Sequence, residues 1–332
     1  MTDWLRNRPK RDLVLALAVA AVFALGVGAF LFAARSESTR YVEARHEYEH
    51  QHEHSGGVVY DRSFDVSPGA QLVVRVADLD VSVSASSSRQ VTVVLEVDED
   101  EHVSESDLER MGFRVERTSE GVQITTEGRD WGDFDLDGSL RVTVPRRFDV
   151  MVQTGDGDVA VEAVEGAVTL RTGDGDIALG GASGEEVMIQ TGDGDVALGG
   201  VSSRQIGVQT GDGDVALGRL TAEHVQVRTG DGDIRIEELS GELRASTGDG
   251  DVTLTISEFA GIEITTGDGN VTLYAPRSLA ADVSIRGGEL MLAETFSLPA
   301  RIEGRTLEGT LNGGGPRLSI RVGDGTVRLI ER

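Results

Sequence analysis

The chain has no cysteine, a single lysine (Lys10) among its 31 basic residues, six prolines, and aromatic rings at only 5% of positions. Without cysteine there is neither a disulfide framework nor thiol chemistry. Scarce rings fit a thin core better than a broad globular one. Arginine almost without lysine points to the codon bias of a GC-rich genome. Positive charge is short as well: 31 basic residues face 57 acidic ones, a net −26. That balance argues against nucleic acid as a partner and against electrostatic docking on anionic lipid or polyuronate.

What is present in excess is glycine, 43 residues, of which fourteen belong to one phrase. Thr-Gly-Asp-Gly-Asp/Asn followed by a branched aliphatic begins at Thr154, Thr172, Thr191, Thr210, Thr229, Thr247 and Thr266, in steps of 18, 19, 19, 19, 18 and 19 residues. A fixed period near 19 means one supersecondary unit repeated, the signature of a solenoid. Two and four residues before each Thr the sequence is apolar, as at Val187 and Ile189, with polar residues between. Five and seven residues after it the same alternation returns, as at Val196 and Leu198. Each phrase is therefore a corner between two half-buried strands. A weaker apolar position about ten residues after the Thr (Val164, Val201, Leu220, Leu239) suggests a third, shorter side. The expected fold is all-β: a single-stranded parallel β-helix or solenoid with about 19 residues per coil, right-handed in preference, preceded by one transmembrane helix.

The corners carry the chemistry. Glycine is expected there for the positive φ of a sharp turn. The seven Thr side chains fall on the inward parity, predicting a buried ladder in which each hydroxyl bonds the one above. Asp156, Asp174, Asp193, Asp212, Asp231, Asp249 and Asp268 stack in one column; Asp158, Asp176, Asp195, Asp214, Asp233 and Asp251 stack in a second, which ends at Asn270. Like charges about 5 Å apart repel by roughly 0.8 kcal/mol in water and about 3 kcal/mol at an effective dielectric of 20, so the columns need an offset. One offset is solvation plus Asp side chains bonding the turn's own N–H groups. The other is Ca²⁺ bound by these thirteen carboxylates. No other cofactor is implied.

Leu13 to Ala34 is 22 residues without charge or proline, enough to cross a bilayer as a helix. The basic tail 1–12, with Arg6, Arg8, Lys10 and Arg11, places the N-terminus in the cytoplasm and the rest outside. A cleaved signal peptide ending at Val27-Gly28-Ala29 is the rival. Residues 35–57 form a His/Glu-rich linker. Its His46-Glu47-Tyr48-Glu49-His50 matches the zinc-protease spacing. It lacks the apolar helix face and third ligand that such a site needs, so it reads as a solvated stalk. Residues 58–150 alternate less regularly and form an irregular β-section capping the solenoid. Within it Ser104 to Met111 is a short helix, Ser104 capping it and Asp107 completing a capping box. Regular coils occupy 151–275. Degenerate coils follow in 276–332, with 283–292 and then 318–329 as the last two.

Phe64-Asp-Val-Ser-Pro-Gly-Ala-Gln-Leu72, Val142-Thr-Val-Pro145 and the strand-Thr-Gly-Asp-Gly-Asp-Val-strand units resemble the bacterial putative-adhesin domain family, over roughly 58–330. That resemblance implies a β-solenoid of undefined function behind a membrane anchor. It carries no catalytic residues with it. The residues themselves leave three readings. The first is a non-enzymatic, membrane-anchored envelope protein whose repetitive faces meet an envelope protein or a glycan, with end-to-end self-association open to it. The second is a Ca²⁺-stabilised module. The third is a polysaccharide-acting enzyme using paired carboxylates, which the identity of the Asp pair in every coil disfavours.

Overall fold

Alternating β-branched and polar residues can bury one face only by stacking on a like neighbour. The computed structural model shows that stacking, and describes residues 57–97, 103–110, 112–126, 138–292, 296 and 298–332. The apolar stretch 13–34, the tail before it, the His/Glu tract and the Val27-Gly28-Ala29 site lie outside the described residues. Among those described, no helix is long and apolar enough to cross a membrane.

In chain order the first part comprises β1 (Gly57–Asp65), β2 (Gln71–Arg75), β3 (Asp80–Ser86), β4 (Gln90–Val97), α1 (Glu105–Arg110), β5 (Phe113–Arg117), β6 (Gly121–Thr126) and β7 (Gly138–Pro145). The coils follow as β8 (Asp149–Gln153), β9 (Val159–Val161), β10 (Val168–Arg171), and then five long strands. These are β11 (Ile177–Gln190), β12 (Val196–Gln209), β13 (Val215–Arg228), β14 (Ile234–Ser246) and β15 (Val252–Thr266). The far end holds β16 (Val271–Ala275), β17 (Ala281–Arg286), β18 (Glu289–Leu292), β19 (Ala300–Glu303), β20 (Thr306–Leu311), β21 (Arg317–Val322) and β22 (Thr326–Glu331).

Coil-to-coil pairing is parallel and shifts by one repeat: Ile177 lies beside Val196, Val196 beside Val215, and Val215 beside Ile234. Inward positions thus form apolar columns, as Val168, Val187, Ile206, Val225, Leu243 and Ile262, each at most 2% exposed. The third side is also a buried column, Val164, Ala182, Val201, Leu220 and Leu239. It is not a separate strand, because β11 to β15 run through it from one corner to the next.

The coils do not stack in chain order at either end. Before the corner, β2 pairs with both β6 and β8; after the corner, β3 pairs with both β7 and β9. The coil of β2 and β3 therefore sits inside that of β6 and β7, directly against the first regular coil. At the far end β21 lies between β15 and β17, and β22 between β16 and β18. The last coil in the sequence is thus the next-to-last in the stack, which corrects the sequential order expected above. The physical reason is corner chemistry. Gly323-Asp324-Gly325 keeps the motif and can stack on Gly267-Asp268-Gly269, the Gly323 N–H donating to the Gly267 carbonyl at 2.5 Å. Gly287-Gly288 has no Asp and turns with φ of 80° and 61°, a geometry that no other described corner between stacked strands uses.

Antiparallel strands cover both ends. β4 pairs with β7 and β1 with β4; β5 pairs with β6; β20 pairs with β17 and β19 with β20. Near the start, Tyr60 of β1 meets Phe113 of β5 edge to face, with centroids 5.5 Å apart, and α1 buries Leu108 beside them. The capping box is formed: Ser104 N–H donates to Asp107 Oδ2 at 2.9 Å, and Asp107 N–H to Ser104 Oγ at 3.3 Å. Charged outer strands such as Arg301 and Glu303 on β19 suit edges that do not invite further pairing.

Residues 317–332 bury Leu318, Ile320, Val322, Val327 and Leu329 between two neighbours, on the order of 10 kcal/mol of apolar burial. Deleting them removes an internal coil and strands the outer one. We expect the truncated chain to melt about 20 °C lower or to be insoluble, whereas sequential stacking would lose only an end; circular dichroism melting checks this.

Candidate functional site

The corner is where every coil touches the next most closely. Its glycines do not take positive φ; none of the motif glycines is among the positive-φ residues, a correction to the turn argument. They are glycine because main chain stacks on main chain. A Cβ on Gly194 would lie 2.1 Å from the Gly175 carbonyl oxygen, and one on Gly213 2.1 Å from that of Gly194. A Cβ on the first glycine of a corner, such as Gly192, would lie 2.3 Å from Asp174 Oδ1 of the coil below. Along the stack each first-glycine N–H donates to the first-glycine carbonyl beneath it, from Gly173 on Gly155 to Gly267 on Gly248.

Thr154, Thr172, Thr191, Thr210, Thr229, Thr247 and Thr266 are 3–7% exposed. Their hydroxyls do not bond one another. Each reaches down to a second-glycine carbonyl: Thr172 to Gly157 at 2.7 Å, Thr191 to Gly175, Thr210 to Gly194, Thr229 to Gly213 and Thr247 to Gly232 at 2.8 Å, and Thr266 to Gly250 at 2.9 Å. Thr154 finds the Leu79 carbonyl at 2.9 Å. The single hydroxyl proton thus satisfies a carbonyl that the corner turns away from the sheet.

The second Asp column is a ladder of a different kind. The carboxylate Oδ1 of each Asp accepts the main-chain N–H of the next: Asp80 from Asp158 at 2.9 Å, Asp158 from Asp176 at 2.8 Å, and Asp176 from Asp195 at 2.7 Å. It continues through Asp214, Asp233 and Asp251 to Asn270, whose Oδ1 accepts Thr326 N–H at 3.1 Å. Burial pushes the Asp80, Asp158, Asp176 and Asp195 carboxyls up, and the accepted N–H pulls each back. In the last three a neighbouring Asp raises it further. The outer column, Asp156, Asp174, Asp193, Asp212, Asp231, Asp249 and Asp268, is exposed throughout. Among the described residues no group of three or more His, Asp or Glu side chains is gathered as a metal ion would need.

One coil of this set escaped sequence reasoning. Val76-Ala77-Asp78-Leu79-Asp80 aligns with the first regular corner, Asp156 N–H donating to Asp78 Oδ1 at 3.2 Å as Asp158 does to Asp80. Ala and Leu replace the glycines, so the phrase is not visible as a repeat; the Asp-x-Asp between two alternating strands was the available signal.

The strands leading into the corners form a second candidate surface. Their outward positions on β2, β8, β10 to β15, β21 and β17 carry Arg75, Arg171, Arg228, Arg244, Arg321 and Arg286 against one carboxylate, Glu263. Gln153, Gln190, Gln209 and Gln226 lie between them, with Met151 and Met188 at 37% and 36% exposure. Arg321 holds Glu263 at 2.6 Å. Residues 1–56 carry equal numbers of acidic and basic side chains, so the whole net −26 resides in the part of the chain that bears this basic strip. One margin of the strip is the Asp columns; the other mixes Asp149, Glu186, Glu242 and Asp282 with His224 and Arg317. Concave sites are slight. An open depression of about 340 Å³ is lined by Ser67–Gln71, Ser119, Glu120 and Asp149, and a gap of about 10 Å³ lies among apolar side chains of the last coils.

Residues 70–329 match the family described as Toastrack DUF4097. Among solved structures the chain is similar to a protein described as a putative adhesin from Parabacteroides distasonis, at 11% identity and TM-score 0.46, over 83% of this chain and 98% of that one. It is also similar to a putative adhesin from Parabacteroides merdae (10%, TM-score 0.48, 82% and 95%). A third is described as a putative lipid binding protein from Parabacteroides distasonis (10%, TM-score 0.45, 82% and 96%). No curated protein sequence matches the chain.

Three outcomes follow from the corner. Gly194→Ala should cost about 3 kcal/mol by overpacking, while Gly200→Ala, whose Cβ meets nothing within 4 Å, should stay within about 0.5 kcal/mol; denaturant melts compare them. Asp195→Asn keeps the acceptor for Asp214 N–H and sheds a desolvated charge, so it should be neutral or stabilising, whereas Asp195→Ala should cost about 1–2 kcal/mol. Carboxyls whose pKa is raised on folding bind protons more tightly folded than unfolded, so their contribution grows as pH falls and is lost as pH rises through the folded value. Melting temperature should therefore increase from pH 7 toward about pH 5. Glu238, held low by Arg219, opposes this from an exposed position.

Proposed function

The chain belongs to the Toastrack DUF4097 family, and from that footing we propose that it is a membrane-anchored, extracytoplasmic interaction scaffold of the bacterial envelope, without catalytic activity. The observation that carries this reading is the long outward strip of Arg and Gln running across ten stacked strands. A catalytic centre is one irregular place with converging groups. Here each coil repeats its neighbour's corner, and among the described residues no buried side-chain polar atom lacks a partner. A repetitive face suits an extended partner, a glycan or an envelope protein, better than a small substrate.

The anchor in this proposal is the apolar stretch 13–34, with the N-terminus cytoplasmic. We take the coil as right-handed, the hand of nearly all parallel strand–crossover–strand connections. The test is retention of the purified full chain on washed envelope fragments and on isolated envelope polysaccharide. Arg171→Glu/Arg228→Glu should reduce retention at least tenfold with melting unchanged; equal retention of this variant and the native chain would remove the strip from the proposal.

A further inference from the structure

We propose that the basic strip docks the outer Asp column of a second copy of the chain, forming a side-by-side pair with parallel stack axes. This rests on the strip being the interaction face and names its partner. The strip is only two outward residues wide, with the Asp columns along one side and four carboxylates spaced along the other, so it disfavours a broad anionic surface and admits a single file of negative charge. The chain itself presents such a file: Asp78, Asp156, Asp174, Asp193, Asp212, Asp231, Asp249, Asp268 and Asp324, all exposed.

The two features share one period because the same coils carry them. Arg75 stands on the coil of Asp78, Arg171 on that of Asp174, Arg228 on that of Asp231, Arg244 on that of Asp249, and Arg321 on that of Asp324. A two-fold axis parallel to the stack keeps each coil level with its copy and brings strip to column twice over, once in each direction. An axis perpendicular to the stack would set strip against strip and repel. Ten strands at about 4.8 Å, and a width of about six residues from strip to corner, make a patch of roughly 800 Å² per partner, the size of a standard specific interface. The guanidinium fork suits this contact, since it grips a carboxylate in two parallel hydrogen bonds. Net repulsion between two acidic copies acts at longer range and is screened beyond about 8 Å at physiological ionic strength.

Sedimentation velocity of the full chain in mild detergent, across 50 to 1000 mM NaCl, tests the pairing. A dimer near 150 mM salt that dissociates toward 1000 mM is expected. Arg171→Glu/Arg228→Glu and Asp174→Arg/Asp231→Arg should each sediment as monomers with native melting, and their mixture should form a dimer, since every charge contact is then opposite again. A native chain that is monomeric at all salts, or a dimer indifferent to both variants, overturns the inference. A monomer whose Arg variant still loses envelope retention sinks the pairing and leaves the interaction scaffold standing. A dimer broken by the swaps beside unchanged retention does the reverse.

Discussion

Main chain stacked directly on main chain at the corner is the constraint on which the rest depends. Two successive corners come so close that neither glycine has room for a Cβ; Gly194 sits against the Gly175 carbonyl and Gly192 against the Asp174 carboxylate. Close approach leaves polar groups that no sheet ladder satisfies. The Thr hydroxyl takes the second-glycine carbonyl, the first glycines bond one another, and the inner Asp takes the following N–H. The Thr, the first Gly and the inner Asp of the phrase thus each answer a different orphan of the same corner, which is why they recur together.

That economy has an electrostatic consequence. The inner Asp ladder places carboxylates one coil apart, and from Asp80 to Asp195, where they are half-buried, burial raises their affinity for protons. Asn270 and Thr326 show how the column ends: the acceptor persists for one more rung without charge, and then only a donor is required. The outer column carries no such main-chain duty in most coils and stays in water. Its acidity leaves the strands leading into the corners as the place where positive charge gathers, and a protein with this strong an excess of carboxylates acquires one face of opposite sign.

Both ends show that a solenoid must close differently from how it repeats. The coil of Gln71–Ser86 slots inside the irregular one, the coil of Arg317–Glu331 slots inside the Gly287-Gly288 coil, and antiparallel strands cover the result. At the far end the coil with Asp at its corner faces the regular stack and the Gly287-Gly288 coil, without it, faces outward. A corner that can donate to and accept from its neighbour is best used where it has a neighbour.

The amino-acid sequence by itself determined the repeat, the position of each corner, the inward and outward parity of the strands, the buried Thr column and the Ser104–Asp107 capping box. These are local or periodic properties, set by side-chain polarity along one chain. Only the tertiary structure decided what the Thr hydroxyls bond, why the corner glycines are glycine, that Ala77-Asp78-Leu79-Asp80 is a coil of the same set, and the order in which the end coils stack. Periodicity says that a coil needs a neighbour and is silent on which one. That choice is made across distant parts of the chain, by whether two corners can exchange hydrogen bonds at closest approach.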